Sequence, residues 1–138
     1  MSADHKALVR RLYDEAVTRQ NVDLIDDLCA PEFVDHNPEP GSGGTLQEVK
    51  TMFRALLTAF PDFSLTVQDQ IAEGDKVVCR LIARGTHKGP YMGIPATERK
   101  VEIGGIDIIR VAKGKAVERW GYFDDVKLLQ QLGAMEGP

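Results

Sequence analysis

Two hydrophobic periods divide this chain, one of about 3.6 residues up to Phe60 and one of two residues from Phe63 onward. Within residues 4–18, Val9, Leu12, Tyr13 and Ala16 fall at i, i+3, i+4 and i+7, with Leu8 and Val17 in support. That spacing predicts a helix with one buried stripe, and Tyr13 lies on it. Asn21 as N-cap, Val22, Ile25, Leu28 and Cys29 as inward positions and Pro31 beyond the end predict a second, shorter helix packed on the first as a hairpin. Phe33 and Val34 form a brief strand before residues 35–44, which are too rich in Pro and Gly to be anything but loop, with His36 and Asn37 at its mouth. Thr45 and Glu48 then make a capping box. The helix it opens carries Leu46, Val49, Met52, Phe53, Leu56, Leu57 and Phe60 before Pro61 stops it. An apolar face that wide implies burial against a sheet, a cavity, or both.

The alternating half begins with Phe63, Leu65, Val67, Asp69 and Ile71 on one face of a strand, followed by a hairpin turn at Glu73-Gly74-Asp75. The next strand aligns Val77, Cys79, Leu81, Ala83, Gly85 and His87, so that His87 extends an apolar row. Residues 88–97 hold Gly89, Pro90, Gly93 and Pro95 and expose Tyr91, Met92 and Ile94 as lid residues. A third long strand, 99–111, is expected to break phase at Gly104-Gly105. Lys113-Gly114 turns into a final strand, and Leu128, Leu129, Leu132 and Gly133 close a short helix. The expectation is one α+β domain over 1–138: three N-terminal helices packed on a strongly curved antiparallel sheet, with a short C-terminal helix. Such a cone has a mouth suited to an apolar pocket with a few polar groups.

The last strand carries an ionisable group into apolar company. Alternation puts Ala116, Glu118, Trp120, Tyr122 and Asp124 on one face and Val117, Arg119, Gly121 and Phe123 on the other. A carboxylate aligned with an indole and a phenol loses solvation, which favours its protonated form and suits it to acid/base work. The competing reading is that Asp124 or Asp125 caps the helix that begins at Val126.

Composition narrows the function classes. With 43% hydrophobic and 28% charged residues, 138 residues suffice for one domain with a real core. A net charge of -4 in mixed signs leaves no basic footprint for nucleic acid. No apolar run approaches a membrane span and the first 20 residues lack the apolar segment of a leader, so a cytoplasmic protein without a membrane partner is expected. Cys29 and Cys79 are isolated and show no CxxC spacing.

Several phrases occur in family order: Phe60-Pro61-Asp62, Glu73-Gly74-Asp75, Gly85-Thr86-His87, Gly93-Ile94-Pro95, Gly105-Ile106-Asp107, Glu118-Arg119-Trp120, and Asp124 through Leu128-Leu129 to Leu132-Gly133. Together they resemble the SnoaL-like polyketide cyclase, or ester cyclase, family of the nuclear-transport-factor-2-like cone fold, over almost the whole chain. The resemblance implies a cone-shaped α+β barrel that assembles as a homodimer. It also implies an acidic general acid/base after the last-strand tryptophan that closes a ring by intramolecular aldol chemistry without metal or organic cofactor. Asp124 matches that position. Family members usually read Pro-Pro-Thr-Gly where this chain has Pro95-Ala96-Thr97-Glu98, and often His where it has Arg119. Ketosteroid isomerases share the cone, and Tyr13 and His36 resemble the positions of their oxyanion-holding Tyr and their base. Epoxide hydrolases on this cone use an Arg two residues before an Asp, and Gly105 before Asp107 disfavours that reaction.

The expected catalytic set is therefore Asp124 as base with Tyr13 or His36 holding the enolate, on a small apolar carbonyl compound. The expected substrate-binding set is Trp120, Tyr122, Phe33, Phe53, Met52, Leu56, His87, Tyr91 and Met92. A non-catalytic binding protein using the same cavity is the rival, and an assembly domain pairing through Val78, Ile82 and Ile106 a third reading. No HxH or HxxxH spacing supports a metal site built from His36, His87 and Asp124. On the sequence alone, Asp124→Asn is expected to abolish turnover while leaving folding intact.

Overall fold

The computed structural model describes residues 2–135. The chain begins with α1 (Ser2–Arg11), which runs into a wider π-helical turn (Leu12–Thr18). A 3₁₀ turn (Val22–Leu24) leads into the single-turn α2 (Ile25–Leu28). β1 (Cys29–Asp35) and α3 (Leu46–Ala59) follow, then β2 (Ser64–Glu73), β3 (Lys76–Thr86), β4 (Lys100–Ala112), β5 (Lys115–Phe123) and α4 (Asp125–Gln131). The five strands form one sheet in the order β1-β5-β4-β3-β2. All neighbours are antiparallel except β1, which runs parallel to β5 at the sheet edge. The architecture is α+β, with helices closing one side of a curled sheet.

Three local rules explain the elements that position the site. The α3 capping box forms as expected: Glu48 N donates to Thr45 Oγ1 at 3.3 Å and Thr45 N to Glu48 Oε1 at 3.4 Å. Asn21 makes no side-chain cap, and the segment it was expected to open is a 3₁₀ turn followed by one α turn rather than a continuous helix. The first helix widens at Leu12, so Arg19 N bonds back to Asp14 O at 3.1 Å, five residues away.

Sheet register shifts in the β1–β5, β2–β3 and β4–β5 pairings, and the last two change which side chains face inward. Gln68 is an extra residue in β2 between Val67 and Asp69, so the inward row Leu65 and Val67 does not continue into Asp69 and Ile71. Asp69 and Ile71 are exposed instead. In β5 the pairing jumps from Val111↔Ala116 to Arg110↔Glu118, leaving Val117 as a bulge. Arg119, Gly121 and Phe123 therefore point to the helix-covered side, and Trp120 and Asp124 to the other, while the exposed Tyr122 near the strand's end still borders the cavity.

The expected break at Gly104-Gly105 is absent. β3 and β4 pair without a shift from Lys76↔Arg110 to Thr86↔Lys100. Val101, Ile103, Asp107, Ile109 and Val111 form one continuous buried row. Gly105 has a packing reason: a Cβ there would overlap the ring of Phe123, its partner across β5. Gly105→Ala is expected to push that ring aside and cost about 2 kcal/mol. The check is a lower urea midpoint with an unchanged denaturant slope.

Candidate functional site

Between α3, the π-helical turn and the inward face of the sheet lies a cavity of about 710 Å³. Val49, Met52, Phe53 and Leu56 of α3 supply one wall, which accounts for the width of that helix's apolar face. Phe33, Ile103 and Leu128 continue the apolar lining. The buried end is polar. Four side chains from four separate elements meet there: Tyr13 from the π-helical turn, Asp35 from β1, Asp107 from β4 and Arg119 from β5.

Arg119 holds the group together. Its Nε and Nη2 donate to Asp107 Oδ1 at 3.1 and 2.8 Å, and its Nη1 donates to Asp35 Oδ1 and Oδ2 at 2.9 and 3.0 Å. Nη1 also donates to the Asn37 carbonyl at 3.0 Å. Tyr13 Oη donates to the other oxygen of Asp107, at 2.8 Å. Burial resists the guanidinium charge, but Asp107 and Asp35 outweigh it and raise the Arg119 pKa further. Burial, and next the neighbouring Asp107, push the Tyr13 phenol well above its usual range, so this hydroxyl keeps its proton.

Gly121 makes room for this geometry. It pairs with Asp107 across the β4–β5 ladder, and a Cβ there would overlap Asp107 Oδ1 and Arg119 Nη2. Its N–H donates to Asn37 Oδ1 at 3.0 Å, which ties the loop after β1 to β5.

A second polar group lines the open end. Glu39 in the β1–α3 loop accepts from Tyr91 Oη at 3.2 Å, joining that loop to the one between β3 and β4. Asp125, at the start of α4, lines the same opening. Burial raises the pKa of Glu39, partly offset by the Tyr91 hydrogen bond. Burial also raises Asp125, as does Asp124 beside it.

The structure sorts the residues expected from sequence. Tyr13, His36, Phe33, Met52, Phe53, Leu56, Tyr91, Met92 and Tyr122 all line the cavity. His36 does so from the rim, its Nε2 2.7 Å from Glu118 Oε2 and its ring stacked on Trp120 at 4.9 Å. Three expectations require correction. Asp124 does not line the cavity: it is exposed and caps α4, its Oδ1 accepting from Lys127 N at 3.1 Å. Trp120 lies on the outer sheet face, under His36 and beside Lys76 Nζ. The Val117 bulge accounts for both, because alternation counted from Ala116 assigns every later residue to the wrong side. His87 is fully buried but not on the cavity wall; its Nδ1 lies 3.0 Å from Thr97 Oγ1 and its ring packs on Phe60, anchoring the 88–97 loop.

Sequence reasoning passed over Asp35 and Glu39, and weighed Asp107 only against the epoxide-hydrolase pattern and as a partner for Arg110. The signal for Asp107 was present: it is the one carboxylate in the period-two row Val101, Ile103, Gly105, Asp107, Ile109, Val111. Among the described residues, no group of three His, Cys, Asp or Glu side chains is placed to hold a metal ion. No described helix is long and apolar enough to cross a membrane.

Comparison with known proteins gives a consistent picture. The family model described as SnoaL-like polyketide cyclase matches residues 7–132. TsrD from Streptomyces laurentii is 30% identical, with a TM-score of 0.87 over 96% of this chain and 97% of that one. IdmH from Streptomyces antibioticus, assigned as a polyketide cyclase, is 34% identical with a TM-score of 0.81, over 94% and 98% of the two chains. AclR from Streptomyces galilaeus, assigned as a hydroxylase, is 28% identical with a TM-score of 0.89, covering 100% of this chain and 86% of that one. No curated protein matches the chain.

Asp107→Asn removes one carboxylate from a buried guanidinium and is expected to destabilise the fold by about 3 kcal/mol. Asp124→Asn replaces one good N-cap by another and is expected to change stability by a few tenths of a kcal/mol, against about 1 kcal/mol for Asp124→Ala. Chemical denaturation of the three variants checks the order.

Proposed function

Because the chain belongs to the SnoaL-like polyketide cyclase family, we propose that its cavity performs cofactor-free acid/base chemistry on a small apolar carbonyl compound, leading to ring closure or isomerisation. One observation carries this reading: a hydrogen-bonded Tyr13–Asp107 pair stands at the buried end of an otherwise apolar cavity. Asp107 takes the proton from the carbon next to a carbonyl. The C–H electron pair moves into the enolate, and its oxygen receives the hydroxyl of Tyr13, which turns from Asp107 to the substrate. A donor fixed in a water-poor pocket stabilises developing negative charge better than water does.

Arg119 is a positioning residue in this scheme. Its guanidinium bonds are spent on Asp107, Asp35 and Asn37, so it orients the base rather than contacting substrate. The set carries two carboxylates against one guanidinium, which favours neutral over anionic substrates at the buried end. The saturation of Asp107 by Arg119 and Tyr13 also favours a second reading, in which the cluster is structural and the cavity only binds ligand.

The outer sheet face supports a proposed homodimer. Ile71, Val78, Ile108 and Trp120 align across β2, β3, β4 and β5, and Ile106 pairs with the exposed Tyr122 in the next row. A second copy would cover this band, with Asp69–Arg80 and Arg84–Glu102 as charged flanks. Light scattering should give twice the chain mass for the native protein and the chain mass for Ile106→Asp.

The catalytic test is deuterium uptake by 1-(2-naphthyl)propan-2-one in D₂O, followed by NMR. The native protein should accelerate uptake, Tyr13→Phe should lose roughly a hundredfold, Asp107→Asn should lose nearly all of it, and Asp124→Asn should retain most. Saturable ketone binding without accelerated exchange favours the binding-protein reading. Loss in Asp124→Asn with retention in Asp107→Asn would return the base role to Asp124.

A further inference from the structure

Of the carboxyl groups that line the cavity, Asp107 and Glu39 keep opposite electrostatic company. Asp107 is in contact with a guanidinium. Glu39 has no cationic partner within ion-pair distance among the described residues; its contact is the neutral hydroxyl of Tyr91 at 3.2 Å. The charged groups that bear on it are Asp125 at the same opening and Arg119 deeper in. Pro38 and Pro40 flank Glu39 and restrict the backbone on both sides. The side chain is half-buried and lines the cavity, so a bound molecule reaching the open end meets it.

We infer that Glu39 is a further catalytic residue of this cavity, the acid that protonates the new alkoxide as the ring closes. The inference rests on the Asp107 reading above and extends it. Ring closure by an aldol step needs two proton transfers at two separate atoms. Asp107 removes the proton from carbon, and the enolate carbon forms a bond to the second carbonyl carbon. The π pair of that carbonyl moves onto its oxygen, and the oxygen takes the proton of Glu39. Glu39 is left as carboxylate at the open end, where solvent returns its proton, while Asp107 loses its own to solvent as product leaves. The product is an isomer of the substrate, so no co-reactant is required. Two carboxyls at opposite ends of one cavity, one beside a guanidinium and one beside a neutral hydroxyl, can divide base and acid roles in this way. Burial supports the assignment, since it favours the uncharged form of Glu39, and Asp125 adds to it. Tyr91 is a positioning residue that fixes the carboxyl by its hydroxyl.

The probe is 2-methyl-2-(3-oxobutyl)cyclohexane-1,3-dione, which exchanges its side-chain α protons in D₂O and closes to a bicyclic aldol. Exchange reports the base alone; closure needs the acid as well. Glu39→Gln should reduce closure at least tenfold more than exchange, whereas Asp107→Asn should remove both. Equal loss of both rates in Glu39→Gln, or closure at the native rate, overturns the inference while leaving the base reading intact. A native protein that catalyses neither removes the base reading and this inference with it. The ¹³C shift of the Glu39 carboxyl, assigned through Glu39→Gln, gives a check that needs no substrate. It should titrate above the ordinary Glu value of about 4.3, and a midpoint at or below that value overturns the inference. The folded protein then holds a proton that the unfolded chain releases, so stability declines as pH rises from the ordinary value through the raised one. Glu39→Gln should abolish that component of the decline.

Discussion

Everything at the buried end of the cavity depends on one guanidinium. Two carboxylates taken out of water cost several kcal/mol each unless paired and hydrogen-bonded, and Arg119 meets both with four contacts. Once that requirement is set, the surrounding features fall into place. Gly121 leaves the space, Asn37 accepts from both Arg119 and the Gly121 N–H, and Tyr13 satisfies the remaining Asp107 oxygen. Asp35, Asp107 and Arg119 are thus carried by strands β1, β4 and β5, with Tyr13 and the Asn37 loop bracing them, which suits a group proposed to keep a fixed direction towards a substrate.

The class of fold and most of the wall were legible in the sequence because both follow from periodicity. The wide apolar face of α3 anticipated the cavity, and the alternation of β3 held from Val77 to His87. Where reading failed, the cause was local. A bulge is one residue out of phase and leaves no mark in composition, so Val117 inverted the assignment of Trp120 and Asp124. The glycine pair in β4 suggested a break in phase, but Gly105 makes room for the ring of Phe123 and the pairing with β3 continues through it without a shift. Asp35 was read as loop, although it ends a strand, because the parallel pairing that orders β1 is made with residues more than eighty positions away.

The two ends of the cavity differ in kind. The buried end is a hydrogen-bonded network in which Asp35, Asp107 and Arg119 are fixed by strands. The open end is assembled from two loops and the first turn of a short helix, and the Tyr91–Glu39 hydrogen bond joins the two loops. An apolar wall runs between them. Under the proposed reaction, that division would let the same base and positioning residues serve molecules of different length, with changes confined to Tyr91, Met92 and the Pro38-Glu39-Pro40 segment.

The bulge in β5 has an evolutionary consequence. A strand with one extra residue is an indel held in the fold, and removing it exchanges the two sets of side chains beyond it. Deletion of Val117 would carry Trp120, Tyr122 and Asp124 inward and send Arg119, Gly121 and Phe123 out, changing the cavity's chemistry without a single substitution. Across descendants of such a strand, the identity of the acting carboxylate can change by a shift in length alone, and lineages with nearly the same letters can inherit different machinery.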